Sequence, residues 1–178
     1  MRLNGTVEPK PRQNTCQFSI RGDVLEITTA KGETILADAS DYDVISKHSW
    51  CVSSQGYAVA NINGRVVKMN RYILGLENGD GRIVDHKNRK KLDNRRKNLR
   101  FATAKENARN CGAKKNNAIG AIGIRILQSG KYNASILVDR RRIHIGNFDT
   151  LEEAIEARRA AEDKYHGEFA SHKGDEDA

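Results

Sequence analysis

Short runs of alternating apolar and polar residues fill the first half of the chain. "CQFSI", "DVLEITT" and "ETILAD" alternate over strand length and are separated by Arg21-Gly22 and Ala30-Lys31-Gly32. Alternation bounded by turn residues predicts a β-meander. "DASDYDVISKHSW" changes period: Ser40 or Asp41 can cap a short helix, with Tyr42, Val44 and Ile45 turned toward a core. "GYAVANINGRVVKM" has two alternating runs around Asn63-Gly64, the favoured pair for a two-residue primed hairpin turn. "NRYILG" predicts a short helix ending near Gly75.

From Lys87 to Lys97 hydrophobic periodicity nearly vanishes, with Leu92 as a single apolar anchor, so this stretch reads as a loop. It lies between two short strands, Ile83-Val84 and Leu99-Arg100-Phe101. "TAKENARN" then predicts a helix, because Thr103 with Glu106 three positions on forms a capping box. "GIRILQ", "YNASILVD" and "RIHIGNF" predict three more strands. "TLEEAIEARRAAEDKYHG" predicts an amphipathic helix opened by a second capping box, Thr150 with Glu153, and stopped by Gly167.

The resulting expectation is an α+β chain. A small β-rich N-terminal region leads into a strand–loop–strand–helix unit, and a three-stranded antiparallel sheet with one helix follows. The expected divisions are a loose arm over residues 1–15, a first domain over 16–110, a linker over 111–118, a second domain over 119–170 and a disordered tail over 171–178. With 178 residues and 38% apolar content, modest cores fit better than one large core.

A net charge of +8 and a pI near 9.5 favour an anionic partner, nucleic acid before membrane. No apolar run approaches the roughly 18 residues of a membrane span, and Met1 to Gln17 has no apolar core of a secretory signal. Cys16, Cys51 and Cys111 form no C-x-x-C pair, which argues against structural zinc and a disulfide framework and fits a reducing compartment such as the cytoplasm.

The chemistry concentrates in "RIVDHKNRKKLDNRRKNLRFATAKENARN", Arg82 to Asn110. Phosphodiester hydrolysis needs a proton acceptor for water and charge to offset the phosphate and the departing 3′ oxygen. A neutral histidine supplies the first, and a hard divalent cation on oxygen ligands supplies the second. This segment offers His86 as base, Asp85 as anionic ligand and an amide on the following helix as a further ligand. Asn98 is suited to pinning the long loop through its backbone, and Asn94 to the same task.

The stretch from Val84 to Asn110 resembles the HNH endonucleases, in the phage-type subfamily with a V-D-H-x-N…L-D-N-R…N-L-R…N motif. The resemblance implies a ββα-metal fold, His86 as general base, Asp85 and Asn107 as ligands of one Mg2+ or Mn2+, and Asn98 as the structural middle residue. It also points to a bacterial or phage-infected cell. One position departs: Asn70, in "KMNRYILG", stands where that subfamily usually has a histidine.

"GIRILQSGKYNASILVDRRRIHIGNFDTLEEAIEARRAAEDKYHGEFA" resembles the AP-two or ethylene-responsive-factor domain of plants, which phage homing endonucleases also carry. That resemblance implies a sheet laid in the DNA major groove. Arg125, Lys131, Asn133, Ser135, Arg140, Arg142 and His144 become candidate contacts, and Lys87, Arg89, Lys90, Lys91, Arg95, Arg96, Lys97 and Arg100 a backbone grip.

The combined expectation is a metal-dependent endonuclease of the homing or phage-encoded type. Its partner is double-stranded DNA, with no membrane and no obligate protein partner. Two rivals share the composition: a sequence-specific DNA-binding protein with a relict nuclease, and a basic RNA-binding protein.

Overall fold

A computed structural model describes residues 15–77, 79–110, 117 and 119–173. The expected arm and linker therefore fall outside the described residues, apart from Thr15 and Asn117. The chain divides into two compact units, one from residues up to Asn78 together with Lys91–Arg96, the other from Gly79–Lys90 and from Lys97 onward.

The first unit begins with the expected meander. β1 (Gln17–Arg21), β2 (Val24–Thr28) and β3 (Thr34–Asp38) pair antiparallel in chain order. Alternation sends Leu25 and Ile27 of β2 and Ile35 and Ala37 of β3 to one fully buried face. Each large aliphatic side chain buried there contributes roughly 1.5–3 kcal/mol.

α1 (Tyr42–Ile45) follows, then β4 (Cys51–Val52), β5 (Ala58–Ile62), β6 (Arg65–Lys68) and α2 (Met69–Ile73). The Asn63-Gly64 turn has φ of 51° and 78°, the left-handed pair that a primed hairpin turn needs. Ile45, Trp50, Met69 and Ile73 join the β2–β3 face in one core, with Leu92 packed against it. Trp50 is held there by an Nε1–H donated to the Ile45 carbonyl at 2.9 Å.

The expectation for α1 needs correction. Ile45 is buried, but Tyr42 and Val44 are exposed, because a helix of only four residues turns a single position inward. Asp41 makes no side-chain capping bond either. Its carboxylate instead receives Arg96, through Nε at 3.1 Å and Nη2 at 2.7 Å.

The second unit opens with β7 (Ile83–His86) and β8 (Leu99–Ala102), an antiparallel pair, followed by α3 (Ala104–Arg109). The Thr103/Glu106 capping box is present. The Thr103 backbone N–H, and then its hydroxyl, hold the Glu106 carboxyl below the usual carboxylate range.

β9 (Ile124–Ile126), β10 (Tyr132–Val138) and β11 (Arg141–Phe148) form a second antiparallel sheet with β10 in the middle, and α4 (Leu151–His166) follows. Ile124, Ala134 and Ala154 form the core of this module, with Ile145, Leu151 and Ile155 packed around it.

Two features of α4 differ from the amphipathic reading. Its buried residues are Ala154, Arg158 and Glu162, one turn apart, so two of the three inward positions are charged. The start of the expected tail packs against α4. Ser171 is buried, and its hydroxyl donates to both Glu162 carboxylate oxygens at 3.0 and 3.1 Å. Residues 174–178 of that expected tail lie outside the described residues.

Candidate active site

Asp85 and His86 close β7, opposite Arg100 and Leu99 of β8, and both are buried. A buried carboxylate needs compensating donors, and Asp85 has two sources. Arg100 donates to its Oδ2 through Nε at 2.9 Å and Nη2 at 2.8 Å. Asn110 Nδ2 lies 3.1 and 3.0 Å from the two oxygens and also donates to the His86 carbonyl at 2.8 Å. Asn110 caps the C-terminal end of α3. One amide thus ties the helix end to the backbone and side chain of the strand end.

Sequence reasoning did not single out Asn110. Asn107, which the resemblance favoured, stands on an exposed part of α3, and its backbone N–H bonds to the Thr103 carbonyl at 2.9 Å. Asn110 is buried, and its Oδ1 has no hydrogen-bond partner. The available signal was helical spacing: position 110 follows 107 by three residues and returns to a neighbouring face.

The loop after His86 is pinned by amides. Asn98 accepts the Asn88 N–H on its side-chain oxygen at 2.9 Å and the Lys87 N–H on its carbonyl at 2.9 Å. Asn88 Oδ1 accepts from Lys90 N–H at 3.0 Å. The Arg89 N–H reaches back to the His86 carbonyl at 2.9 Å, and Arg89 is left-handed, with φ of 60°. A non-glycine residue takes that conformation uncommonly, mostly at turns such as this one. Asn94, in the first unit, is buried and donates its backbone N–H to the Leu36 carbonyl at 2.7 Å.

The basic residues of the motif differ in their partners. Arg95 is paired with Asp93, and Arg96 with Asp41 and the Ile73 carbonyl. Lys91 donates to the Gln55 carbonyl at 2.9 Å and stands over the Tyr57 ring. Arg100 also donates to the Glu168 carbonyl and lies 3.8 Å from the Phe169 ring centroid. The segment after α4 therefore clamps the arginine that holds Asp85.

In the C-terminal sheet, register places Arg125, Asn133 and Asn147 in one row across β9, β10 and β11. Arg125 Nε–H donates to Asn133 Oδ1 at 3.2 Å. Asn133 Nδ2 donates to Asn147 Oδ1 at 2.8 Å and lies 3.0 Å from His144 Nδ1. A register shift after Ala134 sets Ser135 opposite His144, and Arg142 faces Leu137 further along. Asp139 and Arg140 form the β10–β11 turn with φ of 50° and 65°. Lys131 pairs with Asp149 at 2.9 Å.

Among the described residues no three His, Cys, Asp or Glu side chains converge as a cation cage. The donors present still fit one hard divalent cation. A magnesium-like ion is commonly held by one or two carboxylates, with phosphate and water completing its shell. Asp85 supplies a carboxylate, and the orphaned Asn110 Oδ1 is a neutral oxygen on an amide already at that carboxylate. Rotating that amide by half a turn exchanges its N–H2 for its oxygen. None of the described helices is long and apolar enough to cross a membrane.

No solved structure matches the chain. A protein of Acanthamoeba polyphaga mimivirus, named uncharacterized HNH endonuclease L560, is 29% identical over 166 residues, spanning 89% of this chain and 86% of that protein. Residues 69–109, which include β7, its pinned loop, β8 and α3, match the family model described as HNH endonuclease.

Proposed function

We propose that the chain is a metal-dependent endonuclease of double-stranded DNA, with its reacting centre at the end of β7. The observation that carries this reading is the buried Asp85-His86 pair with the Asn110 amide bonded to both residues; Asp85 and His86 lie within residues 69–109, which match the HNH endonuclease model, and Asn110 follows that segment directly. His86 takes a proton from the attacking water. Asp85, with Asn107 of α3 or Asn110 at its C-terminal cap, would hold a divalent cation, Mg2+ or Mn2+. Such an ion supplies charge stabilisation for the phosphate and the departing 3′ oxygen. The expected products carry 5′-phosphate and 3′-hydroxyl ends, and one such centre nicks one strand.

Lys87, Arg89, Lys90 and Lys97 grip the DNA backbone in this reading. The C-terminal sheet, through Arg125, Asn133, Arg142 and His144, selects the site, in the manner of the plant domain it resembles. The polar row across β9–β11 supports this part, because groups bonded to one another on a sheet face are oriented before DNA arrives.

A second reading has its own support. Arg100 occupies Asp85, and Asn70 replaces the histidine of the subfamily motif and bonds to the Arg71 N–H at 2.8 Å. Both features suit a DNA-binding protein with a relict nuclease. The discriminating experiment incubates supercoiled plasmid and structured RNA with the full chain in Mg2+, Mn2+ or EDTA. Metal-dependent nicking of the plasmid supports the nuclease. Tight plasmid binding without nicking in any metal supports the relict, and preference for the RNA at matched salt sinks both.

A further inference from the structure

The charged residues buried beneath α4 serve no part of the chemistry above. Arg158 and Glu162 border a cleft of about 170 Å3 in the second unit, together with Arg89, Arg159, Ser171 and His172. Arg158 is 7% exposed, and its buried Nε has no hydrogen-bond partner among the described residues. Nη1 forms an ion pair with Glu162 Oε1 at 2.8 Å, while Nε has no such partner. Glu162 is already engaged: Ser171 donates to both its oxygens, and His172 Nδ1 lies 3.0 Å from Oε2.

The fold keeps room for this arginine. Gly123 has φ of 73°, and a Cβ there would come within 2.3 Å of the Ser135 carbonyl oxygen and 2.7 Å of Arg158 Nε. Burial pushes the Arg158 guanidinium below its ordinary pKa, against the opposing pull of Glu162. A bound anion would relieve that cost. The cleft also touches the nuclease segment through Arg89, whose N–H closes the turn on the His86 carbonyl at 2.9 Å.

We propose that Arg89, Arg158 and Arg159 form a phosphate-binding cleft, distinct from the sheet face, that receives a backbone phosphate of the nucleic acid beside the His86 turn. All three guanidiniums line this cleft, and guanidinium forks match the geometry of phosphate oxygens. The identification of the anion as a DNA phosphate rests on the nuclease reading; the anion site does not. Free inorganic phosphate offers the same chemistry, so the test separates the two sources.

The full chain is studied in EDTA, which suppresses cleavage. Inorganic phosphate is titrated by calorimetry, and a short duplex by fluorescence anisotropy across a salt series. Arg159→Gln (an exposed position), Arg89→Gln and Arg158→Gln are compared with Lys164→Gln, an exposed control on the same helix. Circular dichroism checks that each variant is folded. The expected result is a loss of phosphate affinity of at least about threefold in each arginine variant but not in the control. The salt slope for the duplex should fall by about one, as for one lost phosphate contact. Lost phosphate binding with an unchanged duplex slope would assign the cleft to free phosphate and reject the DNA contact. Unchanged phosphate affinity and unchanged slope in the folded Arg159→Gln and Arg89→Gln variants overturn the site. A wild-type chain that binds phosphate but no duplex would count against the nuclease reading while leaving the anion site standing.

Discussion

At the scale of single residues, Asp85 has two partners whose removal should act differently. Asn110 bridges the helix end to Asp85 and the His86 carbonyl. Asn110→Ala should cost about 1–3 kcal/mol of stability, the usual range when a buried polar group loses its partner. It should also weaken Mn2+ binding measured by calorimetry. Equal Mn2+ affinity in Asn110→Ala, with loss only in Asn107→Ala, would give the ligand role to Asn107 alone and leave Asn110 a strut. Arg100 contributes a positive charge within 3 Å of Asp85. Arg100→Gln should therefore tighten Mn2+ binding without DNA, by roughly tenfold if about 1.4 kcal/mol of repulsion is removed. Weaker binding in that variant would show that Arg100 orients the carboxylate for the ion rather than competing with it.

At the scale of elements, α3 is the part to perturb, because six residues cannot sustain a helix by themselves. Thr103→Ala removes the oxygen that receives the Glu106 N–H and should cost about 0.5–2 kcal/mol, read as a lower urea midpoint. No change would mean that tertiary contacts alone hold the helix. This element was legible in the sequence because its signals are local: a capping threonine, a glutamate three positions on, and a stretch without apolar periodicity before it. The Asn63-Gly64 hairpin and the meander were legible for the same reason. The pairing of Asn110 with Asp85 spans 25 positions, and no local pattern announces it. The same holds for Arg158 and Glu162, which an amphipathic pattern assigns to solvent although both are buried. It holds again for Lys91–Arg96, which local pattern assigns to a loop of the motif. The Leu36 N–H bonds to the Leu92 carbonyl at 2.8 Å, and that segment belongs to the first unit.

For the whole molecule, the half-buried His48 and His166 and the buried Glu162 make stability vary with pH. Burial pushes His48 and His166 below the usual imidazole range. Burial pushes Glu162 up, but His172, Arg158 and Ser171 outweigh it and hold that carboxyl below its usual range. The unfolded chain therefore binds more protons than the folded one below about pH 6.5, and again below about pH 4.3. Stability should be fully present near neutrality and fall as pH drops through these windows. Urea midpoints taken from pH 7.5 to pH 4 check this, and a midpoint that stayed flat or rose on acidification would contradict it. Under the proposed function, cleavage turns on His86. The most direct measurement is the nicking rate of supercoiled DNA by His86→Ala against the wild type at saturating Mg2+ or Mn2+, with duplex affinity measured in the same samples. Loss of a general base predicts a rate lower by about 10²–10⁴ with duplex affinity unchanged. Equal nicking by the two proteins would contradict it.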